Sequence, residues 1–307
     1  MKSNGKRIAA LFALVAAYAA SQTERLDEAV AGMFDAAKEI AAPSRAADAA
    51  IAGDVAIAGE AAIVVDQDSG KVLFAKAGDK RMYPASTTKI MTALLALERG
   101  ALDDIVLVGE EARPASPDES AAGLAVGTEM SLRDLLSALM LPSGNDAARV
   151  IAKYVVEKTE GGLVDDWNAA FAALMNAKAE ALGARDTHFA NPHGLHDPEH
   201  YSTAYDLALI AREAMRAPSF REIVASNVYV TEAGDASFGN RNKLLDEEGA
   251  AYFRGANGIK TGYTSAAGYC LVASAERDGR ALISVVLRST EAALYSDTHV
   301  LLSYGFS

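Results

Sequence analysis

Strand-like apolar runs lie at the two ends of the main body of this 307-residue chain, and helical periodicity fills the space between them. Residues 61–65 and 71–75 are short apolar segments joined by Asp66-Gln67-Asp68-Ser69-Gly70, a composition that predicts a hairpin turn. Residues 268–275 and 281–287 form a second apolar pair around a turn containing Asp278-Gly279. A further short strand is expected over 258–261. A closing helix is expected over 290–304, where Leu294, Val300, Leu301 and Tyr304 are spaced to cover a sheet. Strands, then helices, then strands and one helix make an α/β (α+β) order. The terminal strands are expected to share one antiparallel sheet, with a helical lobe inserted between them.

The inserted stretch marks its own boundaries. Pro84 opens a helix through Ile90, Met91, Leu94, Leu95 and Leu97 that stops at Gly100. Ser131 starts another, with Asp134 three residues on as its capping partner, and Pro142 ends it. The next is expected from Asp146, where Asn145 is a suitable N-cap. Residues 166–182 give one more helix, closed by Gly183. Thr203 and Asp206 cap another that reaches about Met215.

Two segments of different character precede this body. Lys2, Lys6 and Arg7 lead into an apolar run over 8–20, shorter than the ~20 residues a membrane-crossing helix needs. Ala17-Tyr18-Ala19 near the end of that run supplies the small residues of a cleavage site, so residues 1–19 are expected to be a secretory signal peptide. The protein is then exported, periplasmic or extracellular, and touches a membrane only if that segment is retained. Residues 20–59 read as an alanine-rich helical spacer, with Leu26, Val30, Met33, Phe34, Ala37 and Ile40 at helical spacing before Pro43. Residues 60–307 are left as the domain that carries the chemistry. The net charge of −12 offers no basic stripe for nucleic acid. The single cysteine, Cys270, rules out an internal disulfide and sits in an apolar run as a small buried hydrophobe.

Three short motifs follow in order on a helix, an interhelix link and a strand. Ser86-Thr87-Thr88-Lys89 puts a hydroxyl and an amine on one helix face. The helix start adds free N–H groups and a positive dipole end beside Ser86. Taken alone the pattern is weak, since Ser3-Asn4-Gly5-Lys6 repeats it. Ser143-Gly144-Asn145 and Lys260-Thr261-Gly262 would likewise pass singly for a helix cap and an edge-strand turn. In this order the three resemble the Ser-x-x-Lys, Ser-Asp-Asn and Lys-Thr-Gly set of β-lactamases and penicillin-binding proteins.

Four longer stretches sharpen the comparison: Tyr83-Pro84-Ala85-Ser86-Thr87-Thr88-Lys89-Ile90-Met91-Thr92, Asn191-Pro192-His193-Gly194-Leu195, Tyr201-Ser202-Thr203-Ala204-Tyr205-Asp206-Leu207 and Gly258-Ile259-Lys260-Thr261-Gly262-Tyr263-Thr264. They resemble the D-alanyl-D-alanine carboxypeptidase family, the low-molecular-weight penicillin-binding proteins. The resemblance implies a penicillin-recognising, β-lactamase-like fold: a five-stranded antiparallel sheet flanked by helices, beside an all-helical lobe. It implies that Ser86 attacks the bond between two D-alanines of a peptidoglycan stem peptide, with Lys89 as base and Ser143 relaying a proton to the leaving group. Asn145 would hold the substrate amide and Lys260 would depress the Lys89 pKa. The N–H groups of Ser86 and Tyr263, beside Gly262, would form the oxyanion hole. Thr261 and Arg241 would bind the terminal carboxylate. Peptidoglycan peptides and β-lactams are the implied partners, with no cofactor. Family members often carry an arginine shortly after the last strand; this chain has Thr290-Glu291-Ala292-Ala293 there, and Arg288 is the candidate substitute.

Other activities compete with this expectation. A D,D-endopeptidase or transpeptidase would use the same residues on a crosslink. A class A β-lactamase needs a further glutamate in a Glu-x-x-x-Asn motif, and that spacing occurs nowhere in the chain. A silent peptidoglycan-binding protein would have no need of all three motifs. His188, His193, His196 and His200 invite a metal site, but Pro192, Gly194 and Pro198 break any helix that would align them, and no His-Glu-x-x-His pattern exists.

Overall fold

The computed structural model describes residues 55–307. The signal peptide expected over 1–19 and the helix expected within 23–42 lie outside the described residues. Five strands form the main sheet: β1 (Ala61–Asp66), β2 (Val72–Lys76), β7 (Ala256–Thr264), β8 (Gly268–Arg277) and β9 (Arg280–Ser289). Their order is β2-β1-β9-β8-β7, with every neighbouring pair antiparallel. The N-terminal hairpin joins the late one because β1 pairs along its length with β9, Ile63 opposite Val285.

Both faces of the sheet are covered, which is why β1 and β9 read as unbroken apolar runs rather than alternating ones. On one face Ala62, Val64, Leu282 and Val286 pack with Leu294, Leu301 and Leu302 of the C-terminal helix. On the other, alternation along the strands turns Ile63, Ile283 and Val285 toward the helix over Ala204–Ala214.

The inserted lobe is helical: α1 (Lys89–Arg99), α2 (Leu132–Met140), α3 (Asn145–Glu160) and α4 (Trp167–Ala181) pack on one another, and α5 (Ala204–Ala214) returns the chain to the sheet. The expected caps form. Ser131 Oγ accepts from Asp134 N at 3.1 Å, and Thr203 Oγ1 accepts from Asp206 N at 3.0 Å. After α5 come α6 (Pro218–Ala225), which carries proline at its start, and α7 (Leu294–Phe306) at the C-terminus. Two short ribbons complete the elements: β3 (Ile105–Leu107) with β4 (Glu129–Ser131), and β5 (Val228–Val230) with β6 (Ser237–Gly239).

Three expectations need correction. The segment over 55–59 belongs to the folded body and not to a spacer. Val55 and Ile57 pack against the core, and Ala58 N and Gly59 N donate to the buried Asp297 carboxylate at 3.0 and 2.8 Å. Asn145 does not cap α3. It is the first residue of that helix, and Gly144 occupies the cap position without a side-chain bond. Its own side chain turns into the site described below. Arg288 does not supply a cation after the last strand to the cleft. It pairs with Glu60 at 3.4 Å and lines a separate cavity of about 310 Å³ with Lys80, Arg81 and Tyr83.

Candidate active site

The Ser86-Thr87-Thr88-Lys89 motif begins as a 3-10 turn over Ala85–Thr88 and continues as α1 from Lys89. Ala85 has φ +49°, a left-handed conformation costly for a residue with a Cβ. Thr87 Oγ1 donates to Pro84 O at 2.7 Å and Thr88 Oγ1 to Ala85 O at 2.8 Å, so two hydroxyls hold the turn. Gly194, at φ +86°, packs directly on it: a Cβ there would fall 1.9 Å from Ala85 O. Only glycine fits.

Lys89 is fully buried, and its amine has three partners: Ser86 Oγ at 3.0 Å, Asn145 Oδ1 at 2.6 Å and His193 O at 2.8 Å. The last two can only accept. A neutral amine therefore spends its two N–H groups on them and turns its lone pair to the Ser86 hydroxyl. Burial holds the Lys89 pKa well below the usual lysine range. The Lys260 ammonium and Arg241 push the same way, and the carboxylates of Asp146 and Glu119 oppose them.

Lys260 lies on β7, buried, with its amine on Thr261 O at 3.1 Å. Burial, and then Arg241, brings its pKa to about 7. The strand runs close against the nucleophile turn at Gly262, where a Cβ would lie 3.0 Å from Ser86 N and 3.1 Å from Pro84 O. This approach leaves no room for a side chain between β7 at Gly262 and the Ser86 turn. The Tyr263 ring is 55% exposed at the rim, tilted against Tyr269 with ring centroids 4.5 Å apart.

The opposite wall comes from the link between α2 and α3. Ser143 is buried with φ +69°, a sharp reversal that puts its hydroxyl in the cleft. Asn145 N donates to Ser120 O at 2.8 Å. Asp146 accepts from Ala122 N at 2.9 Å, Gly123 N at 2.8 Å and Leu124 N at 3.1 Å, pinning the wall loop to the start of α3. Arg149 ties the same loop down by donating to Glu111 O, Ala112 O and Arg113 O and pairing with Glu119 at 2.6 Å.

Arg241 sits between two asparagines that rigidify its backbone. Asn240 Nδ2 donates to Val224 O and Ser226 O, and Asn242 Nδ2 donates to Gly258 O at 2.8 Å. Arg241 N donates to Leu141 O, and Tyr295 Oη donates to Arg241 O at 3.2 Å.

Arg288 apart, the structure gathers the site residues expected from the sequence. Ser86, Ser143, Asn145, Arg241, Thr261, Gly262 and Tyr263 line one cleft of about 480 Å³, with Lys89 and Lys260 buried beside it. Sequence reasoning missed Glu119, Asp146 and Arg149 in the wall and the carbonyl of His193 that accepts from Lys89. The acid directly after Asn145, at a helix start, was the one local signal. Cys270 is buried, and burial raises its thiol to about 11, so it offers no thiolate. His188, His193 and His200 each bond to protein atoms, and His196 stacks edge-on with Tyr83.

Residues 46–291 match the D-alanyl-D-alanine carboxypeptidase family. The D-alanyl-D-alanine carboxypeptidase DacF of Bacillus subtilis (strain 168) is 36% identical over 254 residues, covering 80% of this chain and 61% of that protein. The chain therefore spans about three fifths of that relative's length. The D-alanyl-D-alanine carboxypeptidase of Streptomyces sp. (strain K15) is 36% identical over 257 residues, 79% of this chain and 85% of the other. The crystal structure of the Streptomyces K15 DD-transpeptidase superposes with a TM-score of 0.72 at 34% identity, covering 82% of this chain and 98% of that one.

Proposed function

This chain belongs to the D-alanyl-D-alanine carboxypeptidase family, and we propose that it removes the terminal D-alanine from peptidoglycan stem peptides through an acyl-enzyme on Ser86. One observation carries the reading: the Lys89 amine, 3.0 Å from Ser86 Oγ, has its other two contacts on pure acceptors. The lone pair takes the hydroxyl proton as Ser86 Oγ attacks the carbonyl between the two D-alanines. The N–H groups of Ser86 and Tyr263 hold the resulting oxyanion. Ser143 gives its hydroxyl proton to the departing D-alanine nitrogen and takes the one Lys89 collected from Ser86, so the C–N bond breaks, an ester remains on Ser86 and Lys89 is neutral again. Water then attacks that ester, its proton returns through Lys89 to Ser86 Oγ, and the shortened peptide leaves. Asn145 holds the substrate amide. Arg241 and Thr261 take the terminal carboxylate.

The substrate lies outside the cytoplasm, so the reading needs export, for which residues 1–19 are the candidate signal and 20–54 the spacer. Among the described residues no helix is long and apolar enough to cross a membrane. The likeness to the Streptomyces K15 DD-transpeptidase favours a second reading, in which an amine rather than water accepts the acyl group. Purified stem pentapeptides, supplied with and without an amine acceptor, test both. Free D-alanine with no new amide supports the carboxypeptidase, and a new amide supports the transpeptidase. Failure to release D-alanine in either arm rejects both.

A further inference from the structure

His200 stands outside the three motifs, yet it is buried to 2% exposure at the foot of the nucleophile turn. Its two ring nitrogens have fixed roles. Ala190 N donates to Nδ1 at 3.0 Å, so Nδ1 accepts and the ring proton sits on Nε2. Nε2 lies 2.8 Å from Thr88 Oγ1. That hydroxyl in turn donates to Ala85 O at 2.8 Å. The result is a one-way chain, imidazole N–H to threonine O–H to the carbonyl of Ala85, the residue in the left-handed conformation directly before Ser86. Phe189 meets the imidazole edge-on, with centroids 5.5 Å apart, and leaves it one orientation.

The same loop grips the nucleophile helix twice more. Thr92 Oγ1 donates to Pro192 O at 2.6 Å, and the His193 carbonyl takes one Lys89 proton. Positions 88, 89 and 92 thus anchor the loop over 190–194, and His200 ties that loop to the turn from beneath. We infer that His200 is a positioning residue for the acylation step: acting through Thr88, it fixes the Ala85 turn that presents the Ser86 hydroxyl to the Lys89 lone pair. The inference rests on the proposed Ser86 chemistry. It touches no substrate atom and so leaves binding alone while governing how often Ser86 is in line for attack.

The test measures the acylation rate constant and the pre-acylation dissociation constant separately, using a fluorescent penicillin and the full chain. Thermal midpoints identify a temperature at which every variant is folded. Thr88→Val and His200→Phe should each slow acylation by roughly tenfold to a hundredfold, with the dissociation constant changed less than about threefold. Thr88→Ser and His200→Gln retain the hydroxyl and an N–H toward position 88, and should recover most of the rate. The double substitution should be no slower than the slower single one, because both cut the same chain. Should His200→Phe fail to fold, Thr88→Val carries the same test, as it removes one hydroxyl only. An unchanged rate constant, a parallel loss of binding, or multiplying losses in the double variant overturns the inference. A wild type that neither acylates on Ser86 nor releases D-alanine overturns the carboxypeptidase reading instead, and is recognised before any variant is made.

Discussion

Lys89 Nζ and Ser86 Oγ lie 3.0 Å apart because a 3-10 turn passes into an α-helix between them. Residues three apart nearly eclipse in a 3-10 turn, which aligns the two side chains more closely than an α-helix would. Ser86→Ala should abolish both penicillin labelling and D-alanine release, since one oxygen makes both esters. Lys89→Arg should lose at least roughly a thousandfold in acylation rate despite keeping its charge, because guanidinium does not give up a proton. Labelling at ordinary rates in either variant moves the nucleophile or the base elsewhere.

Two lysines with lowered pKa values share this site, and that dictates a pH profile. On the proposed mechanism Lys89 acts only after losing its proton, so activity should rise as pH rises through its lowered pKa. On the same proposal Lys260 serves an anionic substrate only as a cation, so activity should fall as pH rises past about 7. A bell is expected in kcat/KM, with apparent constants belonging to the pair. Lys260→Arg should remove the alkaline limb up to pH 9 or beyond, whatever it does to the maximum. A limb that stays in place assigns it to another group.

Much of this was legible in the sequence, for reasons that differ by residue. The hairpins and caps depend on neighbours within a few positions, so Asp278-Gly279, Ser131 with Asp134 and Thr203 with Asp206 announced themselves. The three motifs were legible as a set because only their joint order is specific. Contacts made across the fold were not. His200 meets Thr88 across 112 positions and Asp297 meets Gly59 across 238, and nothing local marks either partner. The Asn145 side chain shows the ambiguity at one residue. Local rules make it a helix cap, and the buried amine of Lys89 claims it instead.

Asp297 gives the start of the folded body an energetic test. Its carboxylate is buried and accepts from Ala58 N, Gly59 N and Ser289 Oγ. A chain beginning at Glu60 removes two of those donors and also the carbonyls of Ile57 and Gly59 that receive the Lys76 amine. Leaving buried polar groups unpaired should cost roughly 2–4 kcal/mol, lowering Tm by about 5–15 °C relative to a chain beginning at Asp54. Equal midpoints for the two would return residues 55–59 to the spacer.

His200 makes stability depend on pH with a definite sign. Burial is the first cause that lowers its pKa, from 6.5 to about 4; His188, His196 and Lys89 add to it and Asp197 opposes. Because the folded value is depressed, the stability this group contributes is fully present above pH 6.5 and is lost as pH falls through about 4. The shift corresponds to on the order of 3 kcal/mol over that window. His193, depressed in the same direction, is common to wild type and variant. His200→Gln should therefore lose less stability than the wild type on acidification from pH 7.5 to 4, so the difference between the two stability curves changes by that amount. Parallel curves would show that His200 does not titrate against folding.

Arg241 provides the test of whether the cleft is built for a C-terminal residue. Its backbone is fixed on both sides by Asn240 and Asn242, and it shares the cleft with Ser86 and Thr261. A guanidinium fork matches a carboxylate through two parallel N–H donors, and such charge-assisted bonds contribute ~1.5–3 kcal/mol. A substrate ending in D-Ala-D-Ala offers that carboxylate, and an internal crosslink does not. Arg241→Ala should lower kcat/KM on the free-acid peptide by roughly tenfold to a hundredfold. On the same peptide with an amidated end the substitution should matter much less, because the partner is already gone. The comparison is therefore two enzymes by two substrates, and the coupling between them is the readout. A simple sum of the two effects means that Arg241 does not meet the carboxylate, and the assignment of that end of the cleft to the leaving D-alanine fails with it.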